Sequence, residues 1–288
     1  MKYSKNKVVF IFVSSLFLLN IFAWQIVWDL SQSRDLMVDF LNIGQGDSIF
    51  IETPWNQQIL IDGGPDSKIL EKLGKEMPFY DKTIDLIILT HPEKDHLAGL
   101  LEVLKRYKVK NILWTGVVRD TVEWQEWVNL IKKEKAEIKI AKIGARIIFK
   151  KENPQIFIDI LNPVDSLNGK ELKDSNDSSI VAYLTIGKNS FLFTGDIGFA
   201  VEKQLAKEDI NADVLKIAHH GSKYSSSEDF LKAVLPKFAI IEVGENNYGH
   251  PTNEVLARLS NFGIETLRTD KDGDIKVFSD GESVSIKK

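Results

Sequence analysis

The chain has 288 residues, 43% of them hydrophobic, enough to bury one sizeable core and too apolar for a disordered chain. Its formal charge of −4 does not mark a general polyanion binder, and the clusters Lys105/Arg106/Lys108/Lys110, Lys132/Lys133/Lys135 and Lys150/Lys151 read as solvated faces rather than a nucleic-acid track. With no cysteine, disulfides, thiol nucleophiles and cysteine-ligated zinc are excluded, so any metal site must use histidines and carboxylates.

Residues 1–7 form a short tail with Lys2, Lys5 and Lys7, and residues 8–28, Val8 to Trp28, carry no charge. As a helix that stretch would be roughly 30 Å long, enough to cross a bilayer core. The lysines before it and Asp29 after it predict a cytoplasmic tail, a single transmembrane anchor with Trp24 and Trp28 near the outer interface, and an extracytoplasmic globular part over residues 35–288. A cleaved signal peptide is the competing reading; Ala23, beside Trp24, makes a poor small-residue cleavage site.

The globular part opens with strands at Leu36–Leu41, Ser48–Glu52 and Gln58–Asp62, an antiparallel start punctuated by glycine turns. A helix is predicted from Ser67 to Lys75, a buried strand at Thr83–Leu89, a helix to Tyr107, a strand at Val109–Leu113 and a helix from Thr121 to Lys135. Short strands follow between Ile138 and Asn162, then a polar loop from Asp165 to Asn176. Strands at Ser179–Ile186, Ser190–Phe193, Asp213–Ala218 and Phe238–Val243 come next, with helices at Gly198–Lys207 and Asn253–Asn261, the latter capped by Thr252. Thr266–Thr269, a turn at Lys271–Asp274 and two final strands close the chain. The alternation implies helices packed on sheets.

All five histidines, His91, His96, His219, His220 and His250, fall in turns at predicted strand ends. A structural scatter of histidines would place some on helix faces, so this placement points to a metal site. With Glu93, Asp95 and Asp196 they can supply two divalent ions, Mn²⁺ or Zn²⁺, and leave positions open for water. Two ions about 3.5–4 Å apart, sharing Asp196 and an activated water, would suit hydrolysis of an ester or phosphodiester. His91, Glu93, Asp95 and His96 lie on one strand-to-helix turn, where Pro92 helps end the strand.

The segments Asn42-Ile43-Gly44-Gln45-Gly46-Asp47-Ser48, Ile61-Asp62-Gly63-Gly64, Thr90-His91-Pro92-Glu93-Lys94-Asp95-His96, Asn176-Asp177-Ser178-Ser179, Phe193-Thr194-Gly195-Asp196, Asp213-Val214-Leu215-Lys216, His219-His220-Gly221-Ser222-Lys223, Tyr248-Gly249-His250-Pro251 and Arg268-Thr269-Asp270 form a highly specific set. Together, over about Val38 to Ile275, they make a chain that resembles the metallo-β-lactamase fold superfamily, and within it the hydrolase domain of the ComEC family of competence proteins. The resemblance implies an α/β (α+β) fold, an αββα sandwich with its metal site at one edge between two sheets, here preceded by one transmembrane helix. It also implies a nuclease that degrades the DNA strand not taken up. Superfamily members commonly have His-x-His-x-Asp-His, and this family often has Asp at the third position, where Glu93 stands here. No histidine lies between His96 and His219; Asn176 and Ser178 occupy the stretch where many members carry a further ligand. With one span, the chain is expected to lack the multi-span channel of full competence proteins and to work beside a separate DNA-uptake channel.

On this basis His91 and Glu93 are assigned chiefly to one ion and Asp95 and His96 to the other, with Asp196 bridging and His219 or His220 completing a set. Asp62 or Asp95 would orient the attacking water, and His250 would ligate a metal or protonate the leaving oxygen. Gly221, Ser222 and Lys223, with Asn176 and Ser178, are expected to face the substrate, an amide-rich turn and an ammonium suiting a phosphate. Asp47 reads as a turn carboxylate, and Trp124 and Trp127 as core rather than base-stacking residues. Three functions are compatible with these residues: a membrane-anchored nuclease on DNA, a metallo-esterase on a small or envelope phosphodiester, phosphocholine or lactone, and a non-catalytic DNA-binding subunit.

Overall fold

In the computed structural model, which describes residues 5–31, 35–150, 154–172 and 174–287, the chain divides into two units, Met1–Arg34 and Asp35–Lys288. The described part of the first is one helix, α1 (Lys5–Ser31). Its stretch Asn6–Gln25 has a mean hydropathy of 2.0 and none of it is buried, which by length and composition suits a membrane span or a signal sequence. The first four residues of the expected tail and the side chain of Trp28 lie outside the described residues.

The second unit begins with an antiparallel meander of β1 (Leu36–Phe40), β2 (Ile49–Glu52) and β3 (Gln58–Ile61). Helices then alternate with strands through α2 (Lys68–Glu76), β4 (Thr83–Leu89), α3 (Lys94–Arg106), β5 (Lys108–Trp114), α4 (Val122–Lys133) and β6 (Glu137–Ile140). Each helical crossover returns the chain to the same end, so β3 to β6 run parallel. A second antiparallel run, β7 (Arg146–Lys150), β8 (Ile156–Asn162), β9 (Val181–Ile186) and β10 (Asn189–Phe193), leads into α5 (Phe199–Leu205), β11 (Val214–Lys216), α6 (Glu228–Val234), β12 (Phe238–Ile241), α7 (Asn253–Asn261) and β13 (Glu265–Arg268). Here β10 to β13 are parallel. After the short α8 (Thr269–Asp272), β14 (Ile275–Ser279) returns to pair with β1, and β15 (Val284–Lys287) pairs with β14 at the edge. Among the described residues the sheet orders are β15-β14-β1-β2-β3-β4-β5-β6 and β13-β12-β11-β10-β9-β8-β7.

Side-chain alternation along these strands makes the layers. Leu36, Val38 and Phe40 of β1 meet Phe191 and Phe193 of β10 in a core between the sheets, with Phe40 and Phe193 ring centroids 6.2 Å apart. Ile87 and Leu89 of β4 face the other way, onto α2, α3 and α4, while Leu192, Ala239 and Ile241 face α5, α6 and α7. The result is the αββα sandwich. Asp39 breaks the pattern: it is fully buried on β1, 3.6 Å from Lys276, and burial pushes its carboxyl up to about 7.

Differences from the sequence reading sit at element ends. The helix α6 was not anticipated; its seven residues are too few for a periodic signal, and its start is marked by the Ser227 hydroxyl accepting from Phe230 N at 3.4 Å. Thr252 does occupy the N-cap of α7, but its hydroxyl makes no cap bond. Within the Thr266–Thr269 stretch β13 ends at Arg268 and Thr269 opens α8, where a turn at Lys271–Asp274 was expected. Trp127 is fully buried beside Trp114, and Trp124 donates its indole N–H to Val117 O at 2.8 Å, as core residues do.

Candidate metal centre

Because β3 and β4 are parallel, as are β10, β11 and β12, the turns that follow them gather at one end of the two sheets. That is where an open α/β sheet presents its carboxyl ends to a ligand. The β4–α3 turn carries His91, Glu93, Asp95 and His96, and α3 is pressed onto the turn after β3. Gly63 N donates to His96 O at 2.8 Å and Gly99 N to Gly64 O at 2.9 Å. A Cβ on Gly99 would fall 1.8 Å from Gly63 O, so only glycine lets the helix approach this closely.

Asp95, His96, Asp196 and His220 converge so that one ligand atom from each lies within 4.8 Å of the others. His96 Nε2 is 3.4 Å and His220 Nε2 3.5 Å from Asp196 Oδ2, and His220 Nε2 is 3.3 Å from Asp95 Oδ2. The buried His91 ring lies 4.1 Å from the His96 ring, centroid to centroid. His91 Nε2, His96 Nε2 and Asp196 Oδ1 are buried with no hydrogen-bond partner among the described residues. Buried polar atoms without partners are costly, and here they are the atoms a cation would satisfy.

The opposite ring nitrogens are all engaged. His96 Nδ1 lies 2.8 Å from Asp62 Oδ2, His220 Nδ1 lies 2.9 Å from Glu242 O, and His91 Nδ1 lies 3.0 Å from Thr90 Oγ1 and 3.2 Å from Ser179 Oγ. Metal-binding imidazoles are held this way, with Nδ1 anchored and Nε2 presented. Asp62 spends its other oxygen on Thr90 N at 2.8 Å, so it backs His96 and does not face the open side. His219 and His220 both adopt positive φ, 51° and 52°, which turns their rings apart. His220 goes into the tetrad while His219 stays at the rim, 3.9 Å from Asp196 Oδ2.

Without a cation the site is electrostatically self-compensated. Burial would lower His96, but Asp196, Asp47, Asp62 and Asp95 outweigh it and raise the imidazole well above its ordinary value. The same contest, with Asp196 and Asp47 winning, lifts His220 to about 10. Burial and the neighbouring His96 press His91 down to about 3. Asp196 falls well below the carboxylate range because His220 and His96 override its burial.

Lys216 lies beneath the tetrad. It is almost fully buried, pairs with Asp47, donates to Gly195 O at 3.0 Å and lies 3.7 Å from Asp196 Oδ1. Asp47 is therefore a buried ion-pair member and not the turn carboxylate expected of it; its other oxygen is 3.3 Å from His220 Nδ1. Glu242, also buried, takes Ser48 N at 2.8 Å and is pushed well above its ordinary value, by burial first and Asp47 second. Sequence reasoning quoted Lys216 and Ser179 within its motif segments without giving either a role, and passed over Glu242. A lysine inside the apolar run Val214-Leu215-Lys216-Ile217 was the one legible signal.

Of the other expected site residues, Glu93 is tied to Arg119 at 3.0 Å and to the Ser175 hydroxyl. It still borders an open cleft of about 370 Å³ with Asp95, Asp196, His220, Asn176 and His250. Ser178 is buried and donates to Ser175 O at 2.5 Å, away from this lining. Gly221 packs on Pro251, and Ser222 and Lys223 lie in an adjoining depression that shares His219, Tyr248 and His250 with the cleft.

Comparison with known proteins agrees with this geometry. Residues 41–244 match the metallo-beta-lactamase superfamily. The chain is 34% identical over 260 residues to ComE operon protein 3 of Bacillus subtilis and 28% identical over 247 residues to competence protein ComA of Neisseria gonorrhoeae, in each case over 83% of this chain and 32% of the relative. The chain thus spans about a third of the length of the curated relatives it matches. Among solved structures, the metallo-beta-lactamase fold protein YhfI from Bacillus subtilis shares the fold with a TM-score of 0.57 at 14% identity, over 88% of this chain and 100% of that one. A hydrolase fold with converging histidines and carboxylates, related to competence proteins, places this chain in the metallo-beta-lactamase superfamily.

Proposed function

We propose that the protein is a metal-dependent phosphodiesterase, a nuclease acting on DNA, anchored by α1 with its hydrolase domain outside the cytoplasmic membrane. The observation that carries the catalytic part is the Asp95, His96, Asp196 and His220 tetrad converging beside His91, with His91 Nε2 and His96 Nε2 buried and partnerless and the opposing Nδ1 of each imidazole held. A non-catalytic binding subunit would have no use for that arrangement. The DNA part is supported by the kinship to proteins named for competence, which suggests a DNA-uptake setting and a separate channel as partner.

Asp95, His96, Asp196 and His220 would hold one divalent ion, Mn²⁺ or Zn²⁺, and His91 with Asp196 a second. Glu93 adds less, being already neutralised by Arg119. Bound there, such ions supply Lewis acidity toward a phosphoryl oxygen and lower the pKa of water. The chain's own groups do the rest. Asp62, Thr90, Ser179 and Glu242 fix the imidazole orientations, and Lys216 with Asp47 holds Asp196 in place. Asp95, the carboxylate on the open side, orients the attacking water. His250, outside the tetrad at the cleft rim, is lowered to about 4 by burial and by His219 and His220, so it stands neutral and suits a metal ligand rather than a proton donor; Asn176 and the Gly221-Ser222-Lys223 turn contact the phosphate.

One observation favours the metallo-esterase alternative. The cleft is bordered by Asp95 and Asp174, with Glu93 paired to Arg119, an acidic rim that a small neutral or zwitterionic ester tolerates better than a polyanion. The experiment is to strip the full-length chain of metal, reload it with Mn²⁺ or Zn²⁺, and incubate it with end-labelled single- and double-stranded DNA beside bis(p-nitrophenyl) phosphate. Asp196→Asn is the control. Metal-dependent loss of DNA, abolished by the substitution and suppressed by salt, is the expected result. Turnover of the small diester with DNA left intact would replace the nuclease by the esterase.

A further inference from the structure

The cleft continues outward. Tyr248, His219 and His250 at its rim also wall a second depression of about 570 Å³ that reaches Lys223 and Tyr224. The start of α5 is bonded to that wall, Phe199 N to Tyr224 O at 3.1 Å, and Phe199 borders a third depression of about 740 Å³ lined by Lys203, Lys207 and Lys232. Shared or directly bonded residues thus join the metal centre to the surface of α5 and α6.

Along this path aromatic rings alternate with cations. Tyr248 is 75%, Tyr224 64% and Phe199 42% exposed. Lys223 Nζ lies 5.2 Å from the Tyr224 ring, and the Arg258 guanidinium 5.6 Å from the Phe199 ring. Arg258 also donates to Ser226 O at 2.9 Å and Lys223 O at 3.1 Å, so the loop bearing Tyr224 is held in place before any ligand arrives. Lys203 and Lys207 have no ion pair among the described residues, and Lys232 has only exposed, long ones to Glu228 and Asp229. Asp229 and Glu254 are the acidic groups of the two outer depressions, and Glu93, Asp95 and Asp174 border the cleft where the path begins.

We propose that this path is the binding track for single-stranded DNA, its bases stacking on Tyr248, Tyr224 and Phe199 and its phosphates passing Lys223, Lys203 and Lys207. Exposed rings interleaved with ammonium groups fit unpaired bases on a charged backbone; a duplex hides its base faces and uses only the cations. The inference rests on the nuclease reading and supplies the basic stripe that the overall charge conceals.

The test is fluorescence anisotropy of a labelled oligothymidylate, and of a duplex of equal length, with the full-length chain in detergent and chelator so that nothing is cut. Tyr224→Ala and Phe199→Ala should each weaken single-strand binding about fivefold or more, the low end for loss of one stacked base, with Tyr224→Phe restoring it. Duplex binding should change less. Removing both Lys203 and Lys207 should flatten the dependence of log affinity on log salt by about 1.4. Substituting Lys132 and Lys133 on α4 should leave affinity unchanged. Ring variants that bind like the parent, or an equal loss from the α4 pair, overturn the track. If the parent binds and cuts DNA while the ring variants are unaffected, only the track falls. If it turns over bis(p-nitrophenyl) phosphate but neither binds nor cuts DNA, the nuclease reading falls with it.

Discussion

Replacing Lys216 by methionine tests whether the metal centre is built on a buried charge balance. The Lys216 ammonium is the cation between Asp47 and Asp196 and also satisfies Gly195 O at 3.0 Å. Methionine fills the space without the charge, leaves Asp47 and Asp196 with only the His96 and His220 imidazoles as counter-charge, and leaves the Gly195 carbonyl without the ammonium. Breaking a buried ion pair from one side costs about 3–5 kcal/mol. In a domain of this size that is a fall in Tm of roughly 6–20 °C. The loss should shrink once the protein is loaded with metal, because a bound dication supplies the missing positive charge and binds only the folded state. Thermal unfolding of the full-length chain, metal-free and Mn²⁺-loaded, measures both. A metal-free loss under about 1 kcal/mol, or an equal loss in the two states, would refute the reasoning.

Asp196→Asn and His220→Ala should each weaken metal binding at least about a hundredfold by calorimetric titration, whereas Glu93→Gln should cost less than about tenfold, since Arg119 and Ser175 already occupy that carboxylate. The Asp39 carboxyl is raised to about 7, so the folded state binds its proton more tightly than the unfolded chain; its stabilisation is present below pH 3.8 and is lost as pH climbs through 7. Asp39→Asn should therefore flatten the decline in stability over that window in denaturant titrations at stepped pH. Gly99→Ala forces a Cβ against Gly63 O and should cost about 3 kcal/mol or more, with metal binding lost alongside, as read by circular dichroism and titration.

Much of this was legible because strands and turns announce themselves locally. The β-branched run Thr83–Leu89 and the apolar run at Phe191–Phe193 each name a buried strand, and a histidine or aspartate just beyond a parallel strand must lie at the shared carboxyl end. What stayed hidden depends on partners far away in the chain. Asp47 and Lys216 are separated in the chain by β2 to β10, and nothing near either residue predicts the pair. Glu93 carries the spacing of a ligand, yet Arg119 and Ser175, on other segments, decide where its carboxylate points. The choice between His219 and His220 turned on two successive left-handed residues, a conformation that histidine shares with many alternatives. Tyr224, Phe199 and Lys203 are unremarkable singly and line up only when loops and helix ends are brought together.

Asp95 and His96 hang from one sheet, Asp196 and His220 from the other. An ion in their midst would be a rivet through the seam where the two halves of the sandwich meet. Its removal would then do more than silence chemistry: the halves would keep their own helices and hydrogen bonds but lose a clamp at their open end, and breathing there would be the first motion to appear. Metal supply would set the mechanical state of the domain as well as its activity, and a metal-starved molecule would be the easier one for a protease to enter.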